Sequence, residues 1–501
     1  MNETTENKLN EFKEYVKNIE YLGSASATLY WDTRVNIPKK GLAQRGDLLG
    51  YLAAEQYKLQ TAPIVKEYLE YFSSQPALDD VTAGMVRIIQ REYDRTMKIP
   101  EAEYREYTIA TSAAEGAWEE ARAKSDFSVF KPHLQKLIDF NRRFIGYWGY
   151  QGTPYDTLLG YYEPGATVQS VNQAFSQLRD AIVSLLDKIS KSHVKPDDSF
   201  FKKNFPAAEQ ESFSRYILDK MGFDFEAGRL DVSTHPFTIN FNNNDVRITT
   251  RYLENEFRSA MFGCIHEGGH AIYEQDIPGS LFGTMLDRGI SMGVHESQSR
   301  FYENIVGRSR AFWSYFLPEA QKRFPQFGGV SLDAFYRGIN TVTPSLIRVE
   351  ADELTYSLHV IIRYEIEQQI FNGDIAVDEL PALWNRKYKE YLGVEPKNDA
   401  EGVLQDMHWS GGSFGYFPSY ALGNLYSAQF LNAMKKDLPD FDTRIETGDF
   451  AAIHEWLKNN IHVHGSIYDP GDLVKRVTGE PLSARYFIDY LNQKYGALYE
   501  L

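Results

Sequence analysis

Apolar residues spaced three and four apart run through most of this chain, and that spacing constrains its fold more than any other feature. Between 171 and 189 the steps alternate regularly over five turns, at Val171, Phe175, Leu178, Ile182, Leu185 and Ile189. Such a stripe lies on one face of an α-helix and typically packs against a core. A second stripe runs from Leu9 to Ile19. We therefore predict a mainly α-helical protein.

The helical pattern continues on both sides of the middle of the chain, without a linker rich in glycine, serine or proline. The stretch from Ser192 to Pro206 is polar but short, and the sequence contains no internal repeat. With 501 residues, of which 43% are hydrophobic and 24% charged, the chain can bury a large core. The simplest interpretation is one large helical unit that covers residues 1–501.

Charge and cysteine content exclude several classes of function. The 69 acidic residues outnumber the 53 basic ones, which gives a formal net charge of −16. A surface of that sign repels phosphate backbones and anionic lipid, so we expect neither nucleic acid nor membrane as a partner. The first residues do not resemble a signal peptide, and the single cysteine, Cys264, excludes an intramolecular disulfide and a cysteine-built zinc site. We expect a cytoplasmic protein.

One short region departs from the helical pattern. Apolar and polar residues alternate from Phe237 to Phe241 and again from Val246 to Ile248, on either side of a polar cluster at 242–245. This pattern predicts a β-hairpin with a loop of about four residues. The segment after it is predicted to be helical from about Tyr252 to Glu274.

That predicted helix contains the pattern H-E-x-x-H, as His266-Glu267-Gly268-Gly269-His270. Residues four apart lie on the same face of a helix, so both imidazoles can bind one metal ion. Glu267 lies beside them and can accept a proton from a water on the metal. We interpret the two glycines as room for metal or substrate close to the backbone. The alternative for the two histidines is a place in the core.

A catalytic zinc site needs a third protein ligand and an open position for water. Our choice is Glu296, which lies 26 residues after His270 in a second predicted helix, because glycines between them let the chain turn back. Glu303 is the alternative ligand, although a surface or ion-paired role fits it better. Asp276 ranks low because tyrosine, not glycine, stands at position 273. Glu274 is expected to orient a ligand rather than to bind the metal.

Four further sequence elements accompany H-E-x-x-H. Residues 245–249 match D-x-R-x-T, 295–298 match H-E-S-Q, 347–352 match I-R-x-x-A-D, and 402–409 match G-x-x-Q-D-x-H-W. All five elements occur in this order without a departure, and they resemble the M32 family of metallocarboxypeptidases. The resemblance extends to Trp31-Asp32 and to the closing segment 490–501, so it covers the whole chain.

The resemblance implies a helical, two-lobed fold with a deep central groove and a small β-hairpin or sheet beside the metal, similar to angiotensin-converting enzyme and neurolysin. It implies a single M32-type catalytic domain over residues 1–501, in which N-terminal helices form a lid over the groove. It also implies a homodimer that releases single residues from peptides with a free C-terminus. The expected cofactor is one divalent ion per chain, zinc in the first place, with cobalt or manganese as alternatives.

Such a reaction needs hydrogen-bond donors for the oxyanion besides the metal. By similarity to angiotensin-converting enzyme, we assign this role to His408 and Tyr420, at either end of a glycine-rich stretch. Tyr416, between them, is a candidate contact to the substrate. The alternative for both tyrosines is simple packing.

An exopeptidase also needs a cation for the terminal carboxylate of its substrate, and the planar fork of arginine suits this task. Arg348 is our first choice and Arg247 the second, although each has acidic neighbours in sequence and can be a structural ion pair instead. His235, before the hairpin, is a candidate contact to the substrate backbone. His462 and His464 are interpreted as structural.

The leading hypothesis is a zinc-type metallocarboxypeptidase that uses metal-activated water and Glu267 as general base. A metal-dependent oligoendopeptidase that cuts internally would share the same metal site. A catalytically silent helical peptide-binding module is the alternative from a different class. The intact Glu267 argues against that module, because a purely structural metal site has no use for a base.

Overall fold

The computed structural model describes residues 3–501, most of which are helical. The prediction of a mainly α-helical protein is therefore confirmed. The α-helices of this range are α1 (Glu3–Val35), α2 (Leu42–Gln60), α3 (Pro63–Ser73), α4 (Asp80–Lys98), α5 (Glu101–Lys124), α6 (Phe127–Trp148), α7 (Pro154–Tyr162), α8 (Val168–Lys191), α9 (Ala207–Met221), α10 (Phe257–Asp276), α11 (Met292–Arg300), α12 (Arg310–Arg323), α13 (Leu332–Ile339), α14 (Glu353–Asn372), α15 (Leu380–Leu392), α16 (Pro418–Asp437), α17 (Phe441–Thr447), α18 (Ala451–Asn460), α19 (Pro470–Thr478) and α20 (Arg485–Tyr499). A π-helical turn at Phe301–Val306 continues α11.

Both apolar stripes face the core. All six stripe residues of α8 are buried, and so is the stripe of α1 from Leu9 to Ile19. Buried apolar side chains form one connected cluster that extends from Leu9 to Tyr499. Among the helices of residues 3–501, none is both long and apolar enough to cross a membrane.

A small sheet lies against α10. Its strands are β1 (Gly228–Val232), β2 (Thr238–Asn242) and β3 (Asp245–Thr250), in the order β1-β3-β2. The antiparallel pair β2 and β3 confirms the predicted hairpin, but its loop has two residues instead of about four, because Asn242 pairs directly with Asp245. The parallel strand β1 was not predicted from the sequence.

The helix that contains H-E-x-x-H, α10, begins later than predicted, at Phe257 instead of about Tyr252. The side chain of Glu256 caps it by accepting a hydrogen bond from the backbone N–H of Arg258. Phe257 then packs edge-on against the ring of Phe327, at 4.9 Å between centroids. Capping and aromatic packing together fix where this helix enters the core.

Helices α10 and α11 touch through their backbones at Gly269. A Cβ atom at this position would lie 2.6 Å from the carbonyl oxygen of Gln298 and 2.8 Å from the Cα of Ser299. At Gly268 a Cβ would collide with Leu218 of α9. The interpretation of these glycines as room for metal or substrate is therefore wrong, because neighbouring helices occupy the space.

This contact makes Gly269→Ala a sharp test of the packing. We expect the variant to lower the thermal unfolding midpoint, by an amount equivalent to about 1–3 kcal/mol, because backbone atoms cannot move aside as a flexible side chain would. Gly116→Ala in α5 is the control, since a Cβ there meets open space. That change should leave the midpoint unchanged or raise it slightly. Thermal unfolding is followed by circular dichroism. Equal unfolding midpoints for the Gly269→Ala and Gly116→Ala variants would contradict the tight contact between α10 and α11.

Candidate metal centre

Three side chains from α10 and α11 converge on one point. The possible ligand atoms of His266, His270 and Glu296 all lie within 4.8 Å of one another. The Nε2 atoms of the two histidines stand 3.7 and 3.5 Å from Oε2 of Glu296. Ligands of a tetrahedral zinc ion lie about 3.4 Å apart, given bonds of roughly 2.1 Å. Two imidazoles and one carboxylate thus fit one divalent ion with a position left open.

Glu296 is buried and is held by its own helix. Nε of Arg300, one turn later, donates to Oε1 at 2.6 Å, and the hydroxyl of Ser299 donates to Oε2 at 3.2 Å. Burial raises the pKa of Glu296, but the Arg300 guanidinium and the two imidazoles outweigh it and hold the pKa well below its usual range. The carboxylate is therefore ionised and ready to bind a cation.

Glu303 is ion-paired, as expected for it, and also orients His266. Its Oε2 accepts from Nδ1 of His266 at 2.8 Å and from Nη1 of Arg300 at 3.2 Å, while Arg308 reaches Oε1 at 3.3 Å. Burial raises the pKa of Glu303, but Arg300 and His266 lower it to about 2 overall. An ionised Glu303 can therefore hold Nδ1–H of His266 and leave Nε2 free for the metal.

His270 is oriented differently, through another histidine. Its Nδ1 lies 2.6 Å from Nδ1 of His295, and Nε2 of His295 lies 2.7 Å from Oε1 of Glu274. Glu274 therefore supports the candidate ligand His270, but it does so through His295 and not by direct contact. Burial lowers the pKa of His270 to about 3, so its imidazole is neutral, as a metal ligand must be.

Glu267 lies beside the two histidines in a nearly closed setting, with 8% of its surface exposed. The hydroxyl of Thr238, in β2, donates to Oε2 of Glu267 at 2.6 Å. Burial raises the pKa of Glu267, which makes it a stronger base than an exposed glutamate. The small sheet thus fixes one oxygen of this carboxylate and leaves the other available.

The segment before α16 and the first turn of α16 bring together His408, Tyr416 and Tyr420. Nε2 of His408 lies 3.1 Å from the hydroxyl of Tyr420. The ring of Tyr416 stands 5.4 Å from His408 and 5.2 Å from Tyr420 between centroids. Burial lowers the pKa of His408 to about 3, so the imidazole is neutral and can donate through one N–H.

Arg348 is buried beside this cluster, in an ion pair. Its Nε and Nη2 donate to Oδ1 of Asp406 at 3.1 and 2.8 Å, and its Nη1 donates to the hydroxyl of Tyr356 at 2.9 Å. Nε of Arg363 donates to the other oxygen of Asp406 at 2.6 Å. Two guanidinium groups therefore share one carboxylate, and the cluster carries an excess positive charge.

The structure does not bring Arg247 to the metal centre. Val246 and Ile248, on either side of it, pair with the residues of β2 whose side chains face α10, so Arg247 faces the opposite side of the sheet. Its guanidinium donates two hydrogen bonds of 2.7 Å to Asp245 and lies over the ring of Trp31. These contacts agree with the alternative that Arg247 forms a structural ion pair.

His235 is exposed and lies between β1 and β2, three residues before Thr238.

Asp276, at the end of α10, accepts hydrogen bonds of 2.7 Å from both His454 and His462. This cluster holds the C-terminal region against α10, so the low rank given to Asp276 as a ligand and the structural interpretation of His462 agree with the geometry.

Several residues that shape the site were not singled out from the sequence. Thr238 and Arg300 hold Glu267 and Glu296, and His295 and Asp406 hold His270 and Arg348. A signal existed for two of them, because His295 belongs to H-E-S-Q and Asp406 to Q-D-x-H-W. Thr238 and Arg300 have only their place on one face of a predicted strand or helix to mark them.

A helical fold with such a centre, and with a buried glutamate beside it, is typical of a metal-dependent peptidase. A family model described as Carboxypeptidase Taq (M32) metallopeptidase matches residues 11–495. Carboxypeptidase 1 of Bacillus subtilis is 51% identical over 493 residues, which cover 98% of each chain. Thermostable carboxypeptidase 1 of Thermus thermophilus is 42% identical and covers 97% of this chain and 98% of its own.

Solved structures agree with these relatives. The crystal structure of an M32 carboxypeptidase from Deinococcus radiodurans R1 has a TM-score of 0.96 and 36% identity, over 99% of this chain and 100% of its own. A structure of Pyrococcus furiosus carboxypeptidase also has a TM-score of 0.96, at 38% identity and 99% coverage of each chain. The chain belongs to the M32 family of metallopeptidases and is a metallocarboxypeptidase, as the sequence resemblance indicated.

The shared carboxylate of Asp406 yields a prediction for stability. Asp406→Asn keeps the shape but leaves Arg348 and Arg363 facing a neutral group, and removing one partner of a buried pair costs about 3–5 kcal/mol. We expect a lower thermal midpoint at pH 7. Asp442→Asn, which removes the exposed partner of Lys435, should change the midpoint little.

The comparison of the wild type with Asp406→Asn also predicts a dependence on pH. Burial raises the pKa of Asp406, but Arg348 and Arg363 lower it far more, so its pKa in the folded chain lies below that in the unfolded chain. Its stabilising effect is complete above the unfolded value of about 3.9 and is lost as the pH falls below that value. The difference in midpoint between the two proteins should therefore be constant from pH 7 to 5 and narrow below pH 4. A constant difference down to pH 3 would contradict the assignment.

Proposed function

We propose that the chain binds one zinc ion through His266, His270 and Glu296 and removes single residues from the C-termini of peptides. The convergence of three donor atoms within 4.8 Å of one another is the observation that carries this proposal. Zinc suits two imidazoles and a carboxylate, while cobalt or manganese can occupy the same ligands.

Glu267 is proposed as the general base. A zinc ion at this centre would act as a Lewis acid and lower the pKa of a bound water toward about 7. Glu267 takes the proton of the attacking water and then gives it to the departing amine, so one carboxylate serves both steps. The hydrogen bond from Thr238 and the pKa raised by burial support this role.

His408 and Tyr420 are proposed as donors to the oxyanion, with Tyr416 as a contact to the substrate. A continuous chain of contacts connects them to the metal ligands. The guanidinium of Arg300, which holds Glu296, lies 4.0 Å from the ring centroid of Tyr356. Tyr356 in turn accepts from Arg348, which lies 4.7 Å from the ring centroid of Tyr420.

Arg348 is proposed as the group that attracts the terminal carboxylate of the substrate. The excess positive charge of Arg348, Asp406 and Arg363 supports it over Arg247, which faces away from α10. His235 is kept as a candidate contact to the substrate backbone, since it precedes the strand that holds Glu267.

We further propose a single catalytic domain that acts as a homodimer in the cytoplasm, with N-terminal helices as a lid. The connected core from Leu9 to Tyr499 supports one domain. Helix α1 contacts the loop before α11, where the carboxylate of Glu20 accepts from the backbone N–H groups of Gly283 and Met285. These contacts hold α1 against the loop that joins α10 to α11, the two helices that carry the candidate ligands.

The role of Glu267 can be tested by substitution. Glu267→Gln keeps the shape but cannot accept the proton, so we expect hydrolysis to fall by at least about 100-fold, with metal content nearly unchanged. Thr238→Val, which removes only the hydrogen bond to the base, should reduce kcat less. Activity is measured by peptide hydrolysis and metal content by elemental analysis. Activity like that of the wild type in Glu267→Gln would refute the role of base.

The mode of cleavage can be tested with two peptides of about ten residues, one with a free C-terminus and one amidated. We expect mass spectra to show a ladder of single-residue losses from the free peptide alone, abolished by a chelator, because the carboxylate is what the cationic cluster attracts. Internal cuts in both peptides would favour the oligoendopeptidase. No cleavage with zinc or cobalt would favour the peptide-binding module.

A further inference from the structure

The two histidines of the metal centre are supported by different groups. His266 contacts a carboxylate directly through Nδ1, which is the usual arrangement for a metal-bound imidazole. His270 instead places Nδ1 at 2.6 Å from Nδ1 of His295. A hydrogen bond between two imidazoles forms only in certain tautomers, because one of the two facing nitrogens has to carry a proton and the other has to lack one.

With a metal ion bound to Nε2 of His270, the positions of the protons follow from the contacts. Nε2 of His270 lies 3.5 Å from Oε2 of Glu296, so a metal ion held by both side chains would take Nε2 and leave the proton of His270 on Nδ1. Nδ1 of His295 must then accept that proton and be bare. A neutral His295 carries its own proton on Nε2, where Oε1 of Glu274 accepts it at 2.7 Å. In the series His270–His295–Glu274, the direction of the first hydrogen bond therefore determines the direction of the second.

The carboxylate at the end of the series is itself held in place. Oε1 of Glu274 accepts from the backbone N–H of Gly289 at 3.0 Å, and Oε2 accepts from the side chain of Asn240 at 2.8 Å. The ring of Tyr273 packs against His295, at 5.2 Å between centroids. These contacts come from three separate segments and fix both the position and the direction of the series.

We propose that His295 is a positioning residue for the metal: it accepts the Nδ1 proton of His270 and so fixes the tautomer in which His270 binds the ion. Glu274 acts through His295 by holding its proton on Nε2. This inference rests on the metal site proposed above, and it assigns a distinct task to the histidine of H-E-S-Q.

Two substitutions of similar size separate this role from simple packing. In His295→Asn the amide oxygen takes the place of Nδ1 and can still accept from His270. In His295→Gln the amide group takes the place of Nε2, so it keeps the contact with Glu274 and loses the one with His270. His454→Asn is the matched control, because His454 also donates to a carboxylate of α10, that of Asp276 at the end of the helix.

The first measurement is the zinc dissociation constant, obtained by competition with a chelator. We expect it to rise about 10- to 100-fold in His295→Gln, to stay much closer to the wild type in His295→Asn, and to be unchanged in His454→Asn. The visible spectrum of the cobalt-loaded protein, which reports coordination geometry, should change in His295→Gln alone. Equal zinc affinities for the Asn and Gln variants would overturn the proposal.

A second measurement needs no substitution at the site. Nitrogen-15 NMR of the zinc-loaded wild type should show His295 with its proton on Nε2 and Nδ1 bare, and a proton on Nδ1 would overturn the proposal even if both variants failed to fold. Failure of the proposed function is distinguishable from failure of this inference. A wild-type protein that binds no zinc refutes the metal site, whereas a wild type that binds zinc only as tightly as His295→Gln refutes only the role of His295.

Discussion

The close crossing of α10 and α11 is the contact on which the candidate metal centre depends. Helices usually pack about 8–10 Å apart because side chains separate their backbones. Gly269 removes that separation on one side, and Gly423 of α16 does the same behind Glu296, where a Cβ would lie 2.7 Å from the Cβ of Glu296. Glu296 is therefore fixed between two helices before any ion binds. A larger residue at either glycine would move the carboxylate away from the histidines.

The charges around the candidate ligands are balanced in a way that would suit the proposed catalysis. Glu296 and Glu303 carry two negative charges, and Arg300 and Arg308, which contact them, carry two positive ones. Buried charges are tolerated only when such pairing offsets the loss of water. Because these four charges cancel, a divalent ion would keep most of its own positive charge. That charge is what lowers the pKa of a bound water and polarises a carbonyl.

The sequence predicted those parts of the protein that repeat along one element. Helical stripes gave the fold class, and the spacing of His266 and His270 gave two candidate ligands whose side chains do converge, since both patterns depend only on local geometry. The choice of Glu296 depended on an assumption about how the segment between His270 and Glu296 turns back, which no local pattern determines. The sequence could not predict that Gly268 and Gly269 face other helices, because the partners come from distant segments. Strand β1 was missed for the same reason.

The assignment of arginines shows the limit of sequence reasoning more sharply. Both Arg247 and Arg348 had acidic neighbours in sequence, so nothing local separated them. The partner of Arg348 is in fact Asp406, 58 residues later, and the partner of Arg247 is the nearby Asp245. Only the pleat of the sheet decides that Arg247 faces away from α10.

The same cluster bears on the choice between removing terminal residues and cutting internally. Arg348 and Arg363 share the single carboxylate of Asp406, which leaves one positive charge in a region of low dielectric next to Tyr420. A free terminal carboxylate that entered there would neutralise this charge, whereas an internal peptide bond brings no charge with it. Asp406 also keeps Arg348 in one orientation, so little entropy is lost on binding. On the proposed mechanism, electrostatics alone therefore favours a substrate that ends at this cluster.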